Sequence, residues 1–76
     1  MKTTPKSPLR DILARNMRLL RAERGWSQER LAAEAGLNRT YLSAVERSEQ
    51  NMSVDNLYRV AVGFGIDAAD LLREQG

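Results

Sequence analysis

Apolar residues recur along this 76-residue chain at the three- and four-residue steps of helices, and no segment alternates long enough to make a useful strand. Leu9, Leu13, Met17 and Leu20 form a first stripe, widened by Ile12 and Leu19. Ser7 before Pro8 predicts its start, an N-cap with proline at the first helical position, and Gly25 predicts its end. Ser27 opens a short second helix over 28–35, with Leu31, Ala32 and Ala35 inward and Gly36 as its stop. Asn38 opens a third helix, from Arg39 to about Arg47, with Leu42 and Val45 inward. After the polar stretch 48–51, Ser53 opens a fourth helix that buries Leu57, Val60, Ala61 and Phe64. Gly63-Phe64-Gly65 reads as its terminator and not as a phosphate cradle. Asp67, with Asp70 three positions on, opens a last short helix carrying Leu71 and Leu72. The expected fold class is all-α: a compact five-helix domain over 7–76, preceded by a flexible N-terminal arm, 1–6.

Composition narrows the chemistry. A chain this short buries only about 60–65% of its unfolded surface, so its core is thin and a partner subunit would help. It contains neither cysteine nor histidine. That removes disulfides, thiolate metal sites, the commonest acid–base group and the commonest metal ligand. The carboxylates fall mostly at helix starts or on outer faces, without the convergent acid, base or nucleophile that an enzyme needs. No catalysis, metal, cofactor or small-molecule ligand is therefore expected. The apolar runs are too short to span a bilayer and the first residues do not resemble a signal peptide, so the expected location is cytoplasmic.

The net charge is only +2, but it is unevenly spread. Residues 1–25 hold seven cations against two anions, residues 26–51 three against four, and residues 52–76 two against four. A basic front and a faintly acidic rear suit a molecule with one face toward phosphates and another toward a copy of itself.

Residues 28–47 carry most of the information. Two helices joined through Gly36-Leu37-Asn38 must cross steeply, and small Ala32 and Ala35 permit close approach. On a helical wheel, Thr40, Ser43, Ala44 and Arg47 lie opposite the buried Leu42 and Val45, with Arg39 and Tyr41 on the flanks. That outer face is short-chained and uncharged except for arginine, whereas a solvated helix more usually carries Glu and Lys. Such a surface fits a major groove, where an arginine near the helix N-terminus reaches guanine O6 and N7. Glu46 falls on the inward side, where a lone carboxylate is costly, and Arg21 lies at the edge of the first stripe. A structural salt bridge between Arg21 and Glu46 resolves both positions. Trp26 reads as a core plug.

The run Gln28-Glu29-Arg30-Leu31-Ala32-Ala33-Glu34-Ala35-Gly36-Leu37, followed by Asn38-Arg39-Thr40-Tyr41-Leu42-Ser43-Ala44-Val45-Glu46-Arg47, resembles the helix-turn-helix of phage repressors and Cro, the Xre family. The resemblance covers about residues 9–72. Within the family, Arg-Thr-Tyr opening the third helix and Glu-Arg closing it, before Asn51-Met52-Ser53, look most like the controller proteins of restriction–modification systems. The resemblance implies a sequence-specific regulator of transcription that binds double-stranded DNA. At matching positions it implies that Arg39, Thr40 and Ala44 face bases, with Ser43 facing either bases or backbone. It also implies that Gln28 holds a phosphate, and that Tyr41, Arg47, Asn38, Asn51 and Ser53 grip the backbone. Family members pair Arg and Glu at the positions of Arg21 and Glu46. Two departures stand out: Trp26 replaces a smaller aliphatic residue, and Ser48 replaces the usual glycine.

Phe64, Ile66, Leu71 and Leu72 crowd into nine residues, more apolar surface than one small domain is expected to bury. They are the expected homodimer interface, and two-fold symmetry then calls for an inverted-repeat DNA site. The rival reading is a small protein-interaction module on the same helical scaffold, antitoxin-like or phage-derived. It calls for an apolar outer face on the third helix, where this sequence is polar.

Overall fold

The computed structural model describes residues 7–74, so the expected arm over 1–6 lies outside the described residues. Five helices follow in order: α1 (Pro8–Arg24), α2 (Gln28–Ala35), α3 (Arg39–Glu46), α4 (Val54–Phe64) and α5 (Ala68–Leu71). No strand occurs among the described residues. The starts follow the capping chemistry. Ser7, Ser27, Asn38 and Ser53 are extended at the backbone, and each side-chain oxygen accepts an N–H two or three residues on. Asp67 adopts the same backbone conformation but makes no side-chain cap. The four-residue α5 is therefore held by its neighbours and not by a capping box.

Gly36 has φ +68, which lets the Leu37 N–H donate to the Ala32 carbonyl at 2.9 Å and turns the chain into α3 within two residues. The end of α3 makes a similar reversal without glycine. Ser48 has φ +61, a conformation that costs an L-residue roughly 1–2 kcal/mol, and its N–H donates to the Val45 carbonyl.

The core draws on every helix. Leu13 and Met17 of α1 meet Leu31, Ala32 and Ala35 of α2, Leu42 and Val45 of α3, Val60, Ala61 and Phe64 of α4, and Leu71 of α5. The first helix buries a narrower stripe than its sequence suggests: Leu9 and Leu19 are exposed, while Ala14 and Asn16 are buried. Asn16 sits on the inward face and its amide donates to the carbonyls of Leu71 (2.8 Å) and Arg73 (2.9 Å). It thereby satisfies the C-terminal end of α5 and fastens it to α1.

Gly63 is not a terminator. It lies inside α4, where a Cβ would stand 3.2 Å from the Ala35 backbone nitrogen, and its bare backbone lets α4 close on α2. Phe64 and Leu71 also depart from expectation. They are 5% and 0% exposed within one protomer, because α4 and α5 fold back over α2 and α1. Neither offers surface to a partner. Ile66 and Leu72 stay half-buried. The exposed apolar residues of α4 are Val54, Tyr58 and Val62, one turn apart on its outer face.

Candidate nucleic-acid interface

The candidate surface is assembled by α2, α3 and the loop to α4. Arg39 and Thr40 are exposed at the start of α3, Ser43 and Ala44 are half-buried along it, and Arg47 is exposed at its end. Asn38 accepts the N–H groups of Thr40 (2.8 Å) and Tyr41 (3.2 Å) through Oδ1, which leaves its amide N–H groups as donors. Ser53 likewise accepts the Asn56 N–H through Oγ and keeps its hydroxyl proton to donate.

Tyr41 is more constrained than a free phosphate grip. Its hydroxyl donates to the Asn51 carbonyl at 3.1 Å and accepts from Asn56 Nδ2 at 3.2 Å. The Asn51 side chain in turn accepts a hydrogen bond from Arg10. These contacts fix the loop that carries Asn51 and Ser53 against α3 and the start of α1. Arg10 and Asn56 were not singled out by the sequence, since both look like ordinary surface positions.

Beneath the surface lies the ion pair. Arg21 donates to both oxygens of Glu46, Nε to Oε2 and Nη2 to Oε1, each at 2.7 Å, and Nη1 donates to the Trp26 carbonyl. Glu46 is 2% exposed and accepts a third bond, from Gln28 Nε2 at 3.0 Å. The hydrogen bond to Glu46 outweighs desolvation and raises the Arg21 pKa above its already high ordinary value, with Glu46 and Glu29 adding Coulombic attraction. Gln28 is thus bound on its inner side. Its amide oxygen can still accept and its second N–H can still donate.

Among the described residues, three arginines of the basic front are tied to other helices. Arg18 donates to the Glu46 carbonyl at the end of α3, and Arg24 to the Phe64 carbonyl at the end of α4. Both act as cations at helix C-termini. Trp26 stacks on Phe64 with centroids 5.5 Å apart, and Arg30 covers its other side at 4.6 Å. That places Trp26, in the turn between α1 and α2, against Phe64 of α4 as a plug at the edge of the core. Among the described residues no group of His, Cys, Asp and Glu is arranged to hold a metal ion, and no helix is long and apolar enough to cross a membrane.

Comparison with known proteins agrees with this geometry. The helix-turn-helix family model matches residues 17–71. A hypothetical transcription factor of Neisseria meningitidis is 52% identical over 64 residues, which are 84% of this chain and 60% of that protein. The chain therefore spans about three-fifths of that relative. Its counterpart crystal structure from Neisseria aligns with a TM-score of 0.84 at 45% identity, covering 95% of this chain and 88% of that one. Control protein C.SmaI of Serratia marcescens is 40% identical over 90% of this chain and 81% of its own length. The controller protein C.Esp1396I, solved on a 19-base-pair DNA duplex, aligns with a TM-score of 0.77 at 29% identity, covering 86% of this chain and 87% of that one.

Proposed function

The chain belongs to the helix-turn-helix family, and on that premise we propose that it is a non-enzymatic transcriptional regulator that reads one double-stranded DNA site as a homodimer. The observation that carries the reading is the outer face of α3. Arg39, Thr40, Ser43 and Ala44 present a short-chained surface with an arginine at its N-terminal end, fixed beside Gln28 by the buried Arg21–Glu46 pair. Arg39, Thr40, Ser43 and Ala44 face bases. Gln28, Asn38, Tyr41, Arg47, Asn51 and Ser53 line the backbone, with Tyr41 chiefly positioning the loop. Similarity to C.SmaI and C.Esp1396I supports a controller of a restriction–modification system as the finer role.

The partner is a second copy. Val54, Tyr58 and Val62 are 79%, 65% and 58% exposed and form a continuous apolar stripe, flanked by exposed Asp55 and Arg59. The patch carries both signs of charge beside its apolar stripe, so a two-fold arrangement can make it its own complement. Ile66 and Leu72 contribute at the margin in place of the buried Phe64 and Leu71.

The base-reading assignment is tested on a site selected from random duplexes. Arg39→Ala should lose about 1–3 kcal/mol there and relax preference at one base pair, while Gln28→Ala weakens all sequences alike. Equal losses for Arg39→Ala on selected and random DNA would contradict it.

A further inference from the structure

We propose that Glu29 is a specificity-determining residue: the negative charge of its carboxylate beside Nε of Arg39 biases the guanidinium so that its Nη end faces a base. The inference rests on the reading of Arg39 given above. Glu29 is the second residue of α2 and Arg39 the first of α3, and their side chains meet on the surface that the two helices share. The closest approach is between Arg39 Nε and Glu29 Oε1, at 3.3 Å. A guanidinium has a side edge containing Nε and an end edge formed by its two Nη groups. Guanine O6 and N7 call for two parallel donors. A carboxylate 3.3 Å from Nε, in ion-pair contact without hydrogen-bond geometry, places negative charge at the side edge and leaves the end pair to do the reading.

Arg47, at the other end of α3, shows the contrast. Its Nε is 3.2 Å from Glu49 Oε1, but its Nη1 already donates to the Ser43 hydroxyl. Among the described residues Arg39 has Glu29 as its one ion-pair partner, and no hydrogen bond ties its Nη groups. The end pair is therefore available at Arg39 and partly engaged at Arg47. An exposed arginine without support samples many rotamers and is drawn to any nearby phosphate. A carboxylate at its root restricts the rotamers and repels phosphate oxygens, so it favours the base edge over the backbone. The pair is too exposed to matter for folding, with side chains 53% and 68% accessible.

The test uses the full chain with duplexes selected by the parent protein, the same duplexes changed at the base pair where Arg39→Ala loses preference, and a random duplex. Glu29→Ala should reduce discrimination at that base pair about tenfold, stay folded under the binding conditions, and bind random duplex as tightly as the parent or more so. Combined with Arg39→Ala, it should lower discrimination no further. Glu29→Ala with the parent's discrimination at that base pair overturns the inference, as does an equal loss at every base pair. If Arg39→Ala itself shows no base-specific loss, the reading of Arg39 fails first and the role of Glu29 falls with it. If Arg39→Ala loses discrimination and Glu29→Ala does not, only the role of Glu29 is lost.

Discussion

Glu46 accepts three hydrogen bonds from two helices, two from Arg21 on α1 and one from Gln28 on α2. A buried carboxylate on α3 is tolerable only because these donors replace water. Glu46→Gln leaves Arg21 without its anion and should destabilise the domain by about 3 kcal/mol, the lower end for a buried pair because Arg21 is partly reached by water. Thermal or urea unfolding measures this; an unchanged midpoint would show that the pair contributes nothing. The arginine's folded pKa is raised above its unfolded value, so its contribution is complete below the unfolded value. It is lost only as pH rises through the folded one, and across the neutral range this group gives stability no slope. The pair was legible in the sequence because Glu46 broke the apolar pattern. Asn16 was equally legible in principle, since it falls three residues after Leu13 and one before Met17, on the inward face. Its partners, two carbonyls more than fifty residues away, leave no trace in local spacing.

At the scale of elements, serine and asparagine mark the starts of the first four helices and glycine the ends of α1, α2 and α4, because capping and left-handed turns are local chemistry. What local chemistry does not encode is which helix packs on which. Gly63 shows this: beside Gly65 it looks like part of a stop signal, yet it is the contact through which α4 meets the α2 backbone. Gly63→Ala adds helix propensity, but the new methyl meets backbone atoms that can yield only if α2 and α4 part. The expected result is a net destabilisation of about 1–3 kcal/mol, measured by denaturant unfolding. A stabilised variant would show that the two helices separate freely. The same limit explains the interface residues. Density of apolar residues near the end of the chain pointed to Phe64 and Leu71, but α4 and α5 turn them inward, and the exposed stripe lies earlier on α4.

For the whole molecule, charge counting along the chain does not show that Arg18 and Arg24 are tied to helix ends and Arg21 to Glu46. On the proposed reading, affinity for DNA depends on a few placed contacts and on two copies acting together. Tyr58→Asp should put a charge into the apolar stripe, shift sedimentation toward monomer and weaken binding to a full site while sparing a half-site. Dimerisation unchanged by that substitution would move the interface elsewhere. The central claim is that two recognition helices read one site. It is tested most directly by comparing affinity for a selected inverted repeat, for one half of it and for random duplex at one salt concentration. The expected result is tightest binding to the repeat, with two protomers per duplex and half-sites about one helical turn, roughly 34 Å, apart. Equal affinity for all three duplexes, or a single protomer holding a half-site as tightly as the full repeat, would contradict it.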